Sequence, residues 1–144
     1  MSSVNSTLSE LCKYDFDAVA AYEAAIDRVD DKDAKIQLKV LCDENKNHTV
    51  ALNRFLNQRG EEAVTGPDSK KLLTKGKVVL ADIMGDEKII DAMLSNEKEM
   101  LNKYSDALEL DGLTVQEREI LTKHYNDEKR HKAWLEELSG SLKH

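Results

Sequence analysis

Apolar side chains recur at steps of three and four residues along most of the chain, which is the spacing of one buried helix face. In the first half this pattern predicts a helix over about residues 7–29, with a capping box of Thr7 and Glu10 at its start. A second helix is predicted over about residues 31–59, ending before Gly60. The first half therefore indicates two long helices joined by a very short turn.

The second half shows the same spacing. Asp86 is predicted to cap a third helix, and Thr114 with Glu117 forms a capping box for a fourth helix that ends near Gly140. Between the two halves lies a crossover over about residues 60–86, in which an amphipathic stretch predicts one short extra helix. A linker of this length can run back along the bundle, so the third helix should begin at the end where the second begins.

The composition agrees with an all-helical chain, because it includes only one Pro and six Gly and only 5% aromatic residues. Pattern and composition together predict an all-α, antiparallel four-helix bundle with one long crossover that contains a short extra helix. We expect a single domain over residues 1–144, which is long enough to bury a hydrophobic core.

The charge balance limits the classes of partner. The formal net charge is -7, with 28 acidic and 21 basic residues, and no basic cluster suggests a nucleic-acid partner. The sequence has no apolar run long enough for a membrane span, and its first residues lack the features of a signal peptide. We therefore expect a cytoplasmic protein without a membrane partner, and we keep a homodimer as a candidate assembly.

Six polar side chains interrupt the predicted apolar stripes at matched places in the two halves. Each residue of the second half follows its counterpart by 82 or 83 positions, and the apolar frame around it repeats with the same offset. A duplicated helical hairpin, residues 7–59 and 89–141, is the simplest interpretation, and a pseudo-twofold axis would bring all six side chains together in the core. The pairs are Asp15 with Glu97, Asn45 with Glu128, and His48 with His131.

Several buried carboxylates need compensating charge, because burying them without partners is very costly. Divalent metal ions bound to the carboxylates would supply this positive charge directly. A Glu-x-x-His step, such as Glu128 with His131, presents a carboxylate and an imidazole from adjacent turns to one point. Mixed carboxylate and imidazole donors suit iron, manganese or zinc. The alternative is a buried polar network that bonds to itself and to water.

At these residues the chain resembles the ferritin-like superfamily on its rubrerythrin side, because the segment Asp127 to His131 has the usual acidic Glu-x-x-His form. More narrowly, the run from Asn96 to Leu108 resembles the bacterial four-helix-bundle family called domain of unknown function 2383. The resemblance implies a ferritin-like bundle with a dinuclear carboxylate site that binds metal through the six paired residues. With iron as the metal it implies reaction with oxygen or peroxide, in an oxidoreductase or a peroxidase-like enzyme.

The first half departs from the pattern of the superfamily at two positions. Asp15 stands where a Glu is usual, and Asn45 stands where the Glu of the first Glu-x-x-His is expected. Glu44 is an alternative ligand that could act with His48 at four-residue spacing. We therefore expect the ion served by the second half to bind first, and a mononuclear or asymmetric site is an alternative to a full dinuclear one. The competing function is a non-enzymatic structural or interaction bundle with a degenerate metal site.

Overall fold

The computed structural model describes residues 3–66 and 85–143, and this part of the chain is built of four long helices. They are α1 (Ser3–Arg28), α2 (Lys32–Gln58), α3 (Asp86–Leu108) and α4 (Val115–Leu142). No strand occurs within these two ranges, so the all-α prediction is confirmed. The extra helix expected in the crossover falls outside the described residues.

The start of α4 is set by local capping chemistry. The side chain of Thr114 accepts the N–H of Glu117 at 3.0 Å, and the Glu117 carboxylate accepts the N–H of Thr114 at 2.9 Å. The predicted capping box is therefore confirmed. The predicted start of the first helix at Thr7 is wrong, because α1 begins one turn earlier, at Ser3. Val4 is buried in the core and extends the apolar face towards the N-terminus, which favours the longer helix.

The side chain of Asp86 shows how the two hairpins are arranged. It does not cap α3 as predicted, since Gly85 precedes the helix without a side-chain cap bond. The Asp86 carboxylate instead accepts the backbone N–H groups of Asp30 and Asp31, in the turn between α1 and α2, at 2.8 and 3.0 Å. The start of α3 therefore lies beside the start of α2, and these two helices run in the same direction, as a single long crossover requires.

At the opposite end of the bundle the guanidinium of Arg59 connects four segments. It donates to both carboxylate oxygens of Glu117 at 2.6 and 2.7 Å, to Asn5 at 2.9 Å and to the carbonyl oxygen of Gly112 at 3.2 Å. The start of α1, the end of α2, the loop between α3 and α4, and the start of α4 therefore meet here. Along the bundle α1 packs against α2 and α3, while α4 packs against α3 and α2.

The described core consists of two apolar layers with a polar layer between them. One apolar layer joins the end of α1 to the starts of α2 and α3, and the other joins the start of α1 to the ends of α2 and α3. None of the described helices combines the length and the apolar character needed to cross a bilayer. The first apolar layer includes Val29, Leu38, Ile90, Met93 and Leu135, and the second includes Leu8, Leu52, Leu56, Met100 and Leu121.

Candidate metal centre

All six polar residues expected in the core lie in the polar layer, and each is at most 2% exposed. Helices α1 and α3 contribute one carboxylate each, and α2 and α4 contribute two side chains each. The two on α2, and likewise the two on α4, are three residues apart, so they point from adjacent turns of one helix face. The six are Asp15 from α1, Asn45 and His48 from α2, Glu97 from α3, and Glu128 and His131 from α4.

Five of these side chains form two groups that share Glu128. In each group, one donor atom from each residue lies within 4.8 Å of the others, which suits a common metal ion. In the group of Asp15, His48 and Glu128, Nδ1 of His48 lies 3.1 Å from Asp15 Oδ1 and 3.7 Å from Glu128 Oε2. In the group of Glu97, Glu128 and His131, Nδ1 of His131 lies 2.9 Å from Glu128 Oε1 and 3.6 Å from Glu97 Oε2. Glu128 therefore presents one oxygen to each histidine.

Nε2 of each histidine, its outer nitrogen, is hydrogen-bonded to a carboxylate outside the six paired residues. Nε2 of His48 lies 2.9 Å from Asp127, and Nε2 of His131 lies 2.8 Å from Glu44. Such partners fix the ring orientation, so Nδ1 of both histidines faces the central carboxylates. Arg130 donates to both Glu44 and Asp127, which places one guanidinium over the two outer carboxylates.

Glu44 does not join His48, the histidine of its own helix, because its carboxylate is bonded to His131 on α4 instead. The sequence did carry a signal for this arrangement. Asp127 follows Glu44 by 83 positions, the same offset that relates the other paired residues of α2 and α4. The outer carboxylates therefore repeat with the rest of the pattern, and each bonds to the histidine of the other hairpin.

Two buried tyrosines hydrogen-bond to the carboxylates of α1 and α3, and each tyrosine belongs to the other hairpin from its carboxylate. The hydroxyl of Tyr104 on α3 donates to Oδ2 of Asp15 on α1 at 2.5 Å, and that of Tyr22 on α1 donates to Oε2 of Glu97 on α3 at 3.3 Å. Their rings extend the two apolar layers and their hydroxyls reach the polar layer. Both tyrosines therefore support the carboxylates besides filling the core.

His124 lies beside the centre without joining either group of candidate ligands. Its ring stacks on His48, with centroids 3.8 Å apart and an interplanar angle of 17°, and its Nδ1 lies 3.1 Å from the hydroxyl of Tyr104. Burial, with the nearby positive charge of His48, lowers the pKa of His124 to about 3. The side chain is therefore a neutral core histidine with a hydrogen-bond partner.

Burial and mutual charge control the protonation of the centre. Burial, with the charges of Glu97 and Asp15, raises the pKa of Glu128 well above its usual range. Burial alone would lower the pKa of His48, but the Asp15 charge and the hydrogen bond to Asp127 outweigh it and raise this pKa to about 10. The raised pKa values favour the neutral, protonated carboxyl of Glu128 and the imidazolium of His48, so bound protons limit the negative charge of the polar layer.

The amide of Asn45 is fully buried, and neither its Nδ2 nor its Oδ1 is hydrogen-bonded within the described part of the chain. The oxygens of Glu128 and Nδ1 of His131 also lack a hydrogen bond there, although Nδ1 of His131 lies 2.9 Å from Glu128 Oε1. An unsatisfied buried polar group costs about 1–3 kcal/mol, so most such groups in native proteins have a protein, water or ligand partner. These buried nitrogen and oxygen atoms without hydrogen bonds fit a centre that binds a further ligand, such as a metal ion or water.

The fold and the centre define a four-helix bundle with a buried carboxylate and histidine layer. Residues 3–110, three quarters of the chain, match the family described as Domain of unknown function (DUF2383). The chain belongs to that family. Comparison with curated proteins and with solved structures gives no match. The matched segment includes Asp15, Asn45, His48 and Glu97, whereas α4 with Glu128 and His131 lies beyond it. The arrangement is consistent with the resemblance to ferritin-like bundles.

Proposed function

We propose that this protein binds a pair of divalent first-row transition-metal ions in its polar layer. The observation that carries the proposal is the sharing of Glu128, which offers one oxygen to the histidine of each group. Glu128 would then be a ligand of both ions, and His48 and His131 would each contribute Nδ1. Asp15 and Glu97 would each be a carboxylate ligand of one ion.

The donor set and its surroundings support a metal role. Imidazole and carboxylate donors together suit iron, manganese or zinc, with iron as the leading candidate from the resemblance. The carboxylates that hold the outer nitrogens of His48 and His131 are the usual partners of metal-binding histidines. The tyrosine hydroxyls on Asp15 and Glu97 reduce the freedom of both carboxylates.

The two positions should differ in affinity. Three carboxylates face two ions that carry four positive charges, because Asn45 is neutral where the matched residue, Glu128, is charged. The position of Glu97, Glu128 and His131 should fill first, since the second half keeps the complete ligand pattern and the first half departs from it at Asp15 and Asn45. The position of Asp15 and His48 should bind the second ion more weakly.

A centre loaded with two ferrous ions would supply two electrons for the reduction of oxygen or peroxide, and an external electron donor would return the ferric ions to the ferrous state. The protein's own residues provide the surroundings for that chemistry. The two apolar layers exclude bulk water above and below the centre, and the tyrosines hold the carboxylates of Asp15 and Glu97 in place. This makes an oxidoreductase or peroxidase-like activity the leading proposal for the protein.

A second candidate is a non-enzymatic bundle whose polar layer bonds to itself. The hydrogen bonds of His48 to both Asp15 and Asp127 favour it, because they satisfy this histidine without an ion. The amide of Asn45 argues against it, because this amide has no hydrogen-bond partner within residues 3–66 and 85–143 and a self-contained network would leave it unsatisfied.

Metal analysis separates the two candidates. Protein purified without chelator is analysed for metals, and the apoprotein is titrated anaerobically with ferrous ion. We expect up to two ions per chain, the first bound more tightly, and loss of both in Glu128→Gln, which keeps the shape but removes the bridging charge. Glu137→Gln, at an exposed position of the same helix, is the matched control. Absence of binding in the wild type, or unchanged binding in Glu128→Gln, would favour the self-bonded bundle.

A further inference from the structure

The solvent-facing side of α2 carries exposed apolar side chains. Ile36, Val40 and Val50 are 64%, 44% and 59% exposed, and they are three of the four large apolar side chains that are exposed in the described part of the chain. Two exposed polar residues lie between them, and all five follow one another at steps of four and three residues, so they share one outward face of the helix. We call this face the α2 stripe, and it consists of Ile36, Val40, Asp43, Asn47 and Val50.

The internal repeat provides a comparison for the apolar residues of the α2 stripe. Their counterparts on α4, 83 positions later, are Glu119, Lys123 and Ala133, which are also exposed. The same outward face is therefore charged or small in the second hairpin, so the fold does not require large apolar side chains there. Contiguous exposed apolar side chains often mark a site of protein association. The difference between the two hairpins indicates that α2 has an interaction surface that α4 lacks.

The two polar residues of the α2 stripe indicate which partner fits. Alternating steps of four and three residues are the spacing of the contact positions in a pair of packed helices. If a second copy of α2 packs antiparallel, with the twofold axis midway between Asp43 and Asn47, Val40 lies opposite Val50 of the second copy. Asp43 then lies opposite Asn47 of the second copy, whose amide N–H can donate to the carboxylate. A parallel pair would instead place two Asp43 carboxylates against each other, which is unfavourable.

We propose that the α2 stripe is a homodimer interface, in which two copies of the chain pair antiparallel about a twofold axis. The pairing is self-complementary, because each copy supplies one apolar and one polar partner for the other. It does not depend on metal in the polar layer. The stripe from Ile36 to Val50 is about 21 Å long, which is a short contact for a stable dimer, so the association should be weak and reversible on dilution.

Sedimentation velocity at a series of concentrations measures the association. The wild type should shift from monomer to dimer as its concentration rises to about 1 mM, where even weak interfaces associate. The double variant Val40→Lys/Val50→Lys should weaken the dimer by at least about tenfold, because it places charges within the contact. Val115→Lys, which changes the fourth exposed apolar residue, 77% exposed at the start of α4, is the matched control and should behave as wild type.

Circular dichroism checks that each variant keeps the helix content of the wild type. A wild type that stays monomeric over the whole range would overturn the proposal and leave the α2 stripe to a different protein. A double variant that dimerises as well as the wild type would also overturn it, because the interface would then lie elsewhere.

Disulfide cross-linking tests the antiparallel direction. Val40→Cys and Val50→Cys are prepared as separate proteins, one of them with a tag that identifies mixed dimers, and each is oxidised alone and in the mixture. We expect links in the mixture and not within either protein alone. The wild type, whose Cys12 and Cys42 are buried, gives the background. Links within Val40→Cys alone, or no links in the mixture at concentrations where the dimer forms, would overturn the antiparallel pairing.

Discussion

Asp127 on α4 accepts a hydrogen bond from Nε2 of His48 on α2 at 2.9 Å, so a carboxylate of the second hairpin orients a histidine of the first. Glu44 on α2 does the same for His131 on α4 at 2.8 Å. The carboxylate that orients each histidine thus comes from the opposite hairpin. The orientation of the histidine in each candidate metal position therefore depends on a residue from the other half of the sequence.

This arrangement predicts a crossed pattern of effects on metal affinity. Asp127→Asn should weaken the ion beside His48 by about 10- to 100-fold, and Glu44→Gln should weaken the ion beside His131 to a similar degree, because each loses the partner that orients its imidazole. Calorimetric titration with manganese(II) measures both positions. Asp43→Asn, next to Glu44 but with its side chain 74% exposed, is the control. Equal weakening of the same position by both variants would contradict the crossed arrangement.

The difference between the two positions is tested by changing their own ligands. Asn45→Glu should strengthen the second position, because it restores a fourth carboxylate. His131→Ala should abolish the tighter binding event and leave helix content largely unchanged, because the apolar layers remain intact. Titration of each apoprotein with ferrous ion, alongside circular dichroism, measures both effects. Two equal and tight positions in the wild type would disprove the expected asymmetry.

The ion pair of Arg59 with Glu117 predicts a pH-dependent contribution to stability. The hydrogen bonds from Arg59 outweigh burial and lower the pKa of Glu117. The pair therefore stabilises the fold above the unfolded pKa of Glu117, about 4.3, and its contribution is lost as the pH falls through the lower folded pKa. Arg59→Ala should cost about 2 kcal/mol at neutral pH, the worth of hydrogen bonds to a charged group.

Urea unfolding of the wild type and Arg59→Ala at neutral and at acidic pH measures this difference. The gap between the two proteins should narrow in acid, where Glu117 is protonated in both. Arg54→Ala, at an exposed position of the same helix, provides the control. A gap that stays constant with pH would mean that Arg59 acts through packing of its side chain and not through charge.

The two tyrosines of the polar layer should contribute unequally to stability. Tyr104 donates to Asp15 at 2.5 Å and also contacts His124, whereas Tyr22 makes one longer bond, 3.3 Å, to Glu97. Tyr104→Phe should therefore cost about 1–3 kcal/mol by leaving two buried polar groups with one partner fewer, and Tyr22→Phe should cost less. Thermal unfolding of the two apoproteins compares them directly. A larger loss in Tyr22→Phe would show that the bond lengths do not rank these interactions.

The helices and the depth of the six polar residues were predictable because both follow from spacing within single helices. A three-residue step fixes which side chains share a face, so the sequence alone was enough to place His48 and Asn45 together in the core. Helix starts were less certain from sequence. Thr7 and Asp86 both look like caps, but the burial of Val4 favours the earlier start of α1, and the turn between α1 and α2 binds the Asp86 carboxylate.

Contacts between helices were harder to predict, because a sequence gives no direct measure of rotation and offset between elements. Glu44 looked like a partner of His48, since the two are four residues apart on one helix, yet it bonds to His131 on α4. The stacking of His124 on His48 and the bond from Tyr104 to Asp15 also join residues of different helices. Only the repeat offset could have indicated the role of Asp127, because it pairs that residue with Glu44.

The arrangement around Arg130 has a kinetic consequence for the centre. Both imidazoles are buried, but their outer nitrogens bond to side chains that solvent reaches, with Glu44 28% and Asp127 18% exposed. The side chain of Arg130 is 55% exposed, the largest fraction of the three. Rotation of these side chains would bring water to the imidazoles within nanoseconds to microseconds, without separation of the helices. Ion uptake along this route would then be faster than the global unfolding of the bundle, and two acidic side chains at its entrance would attract the incoming cation.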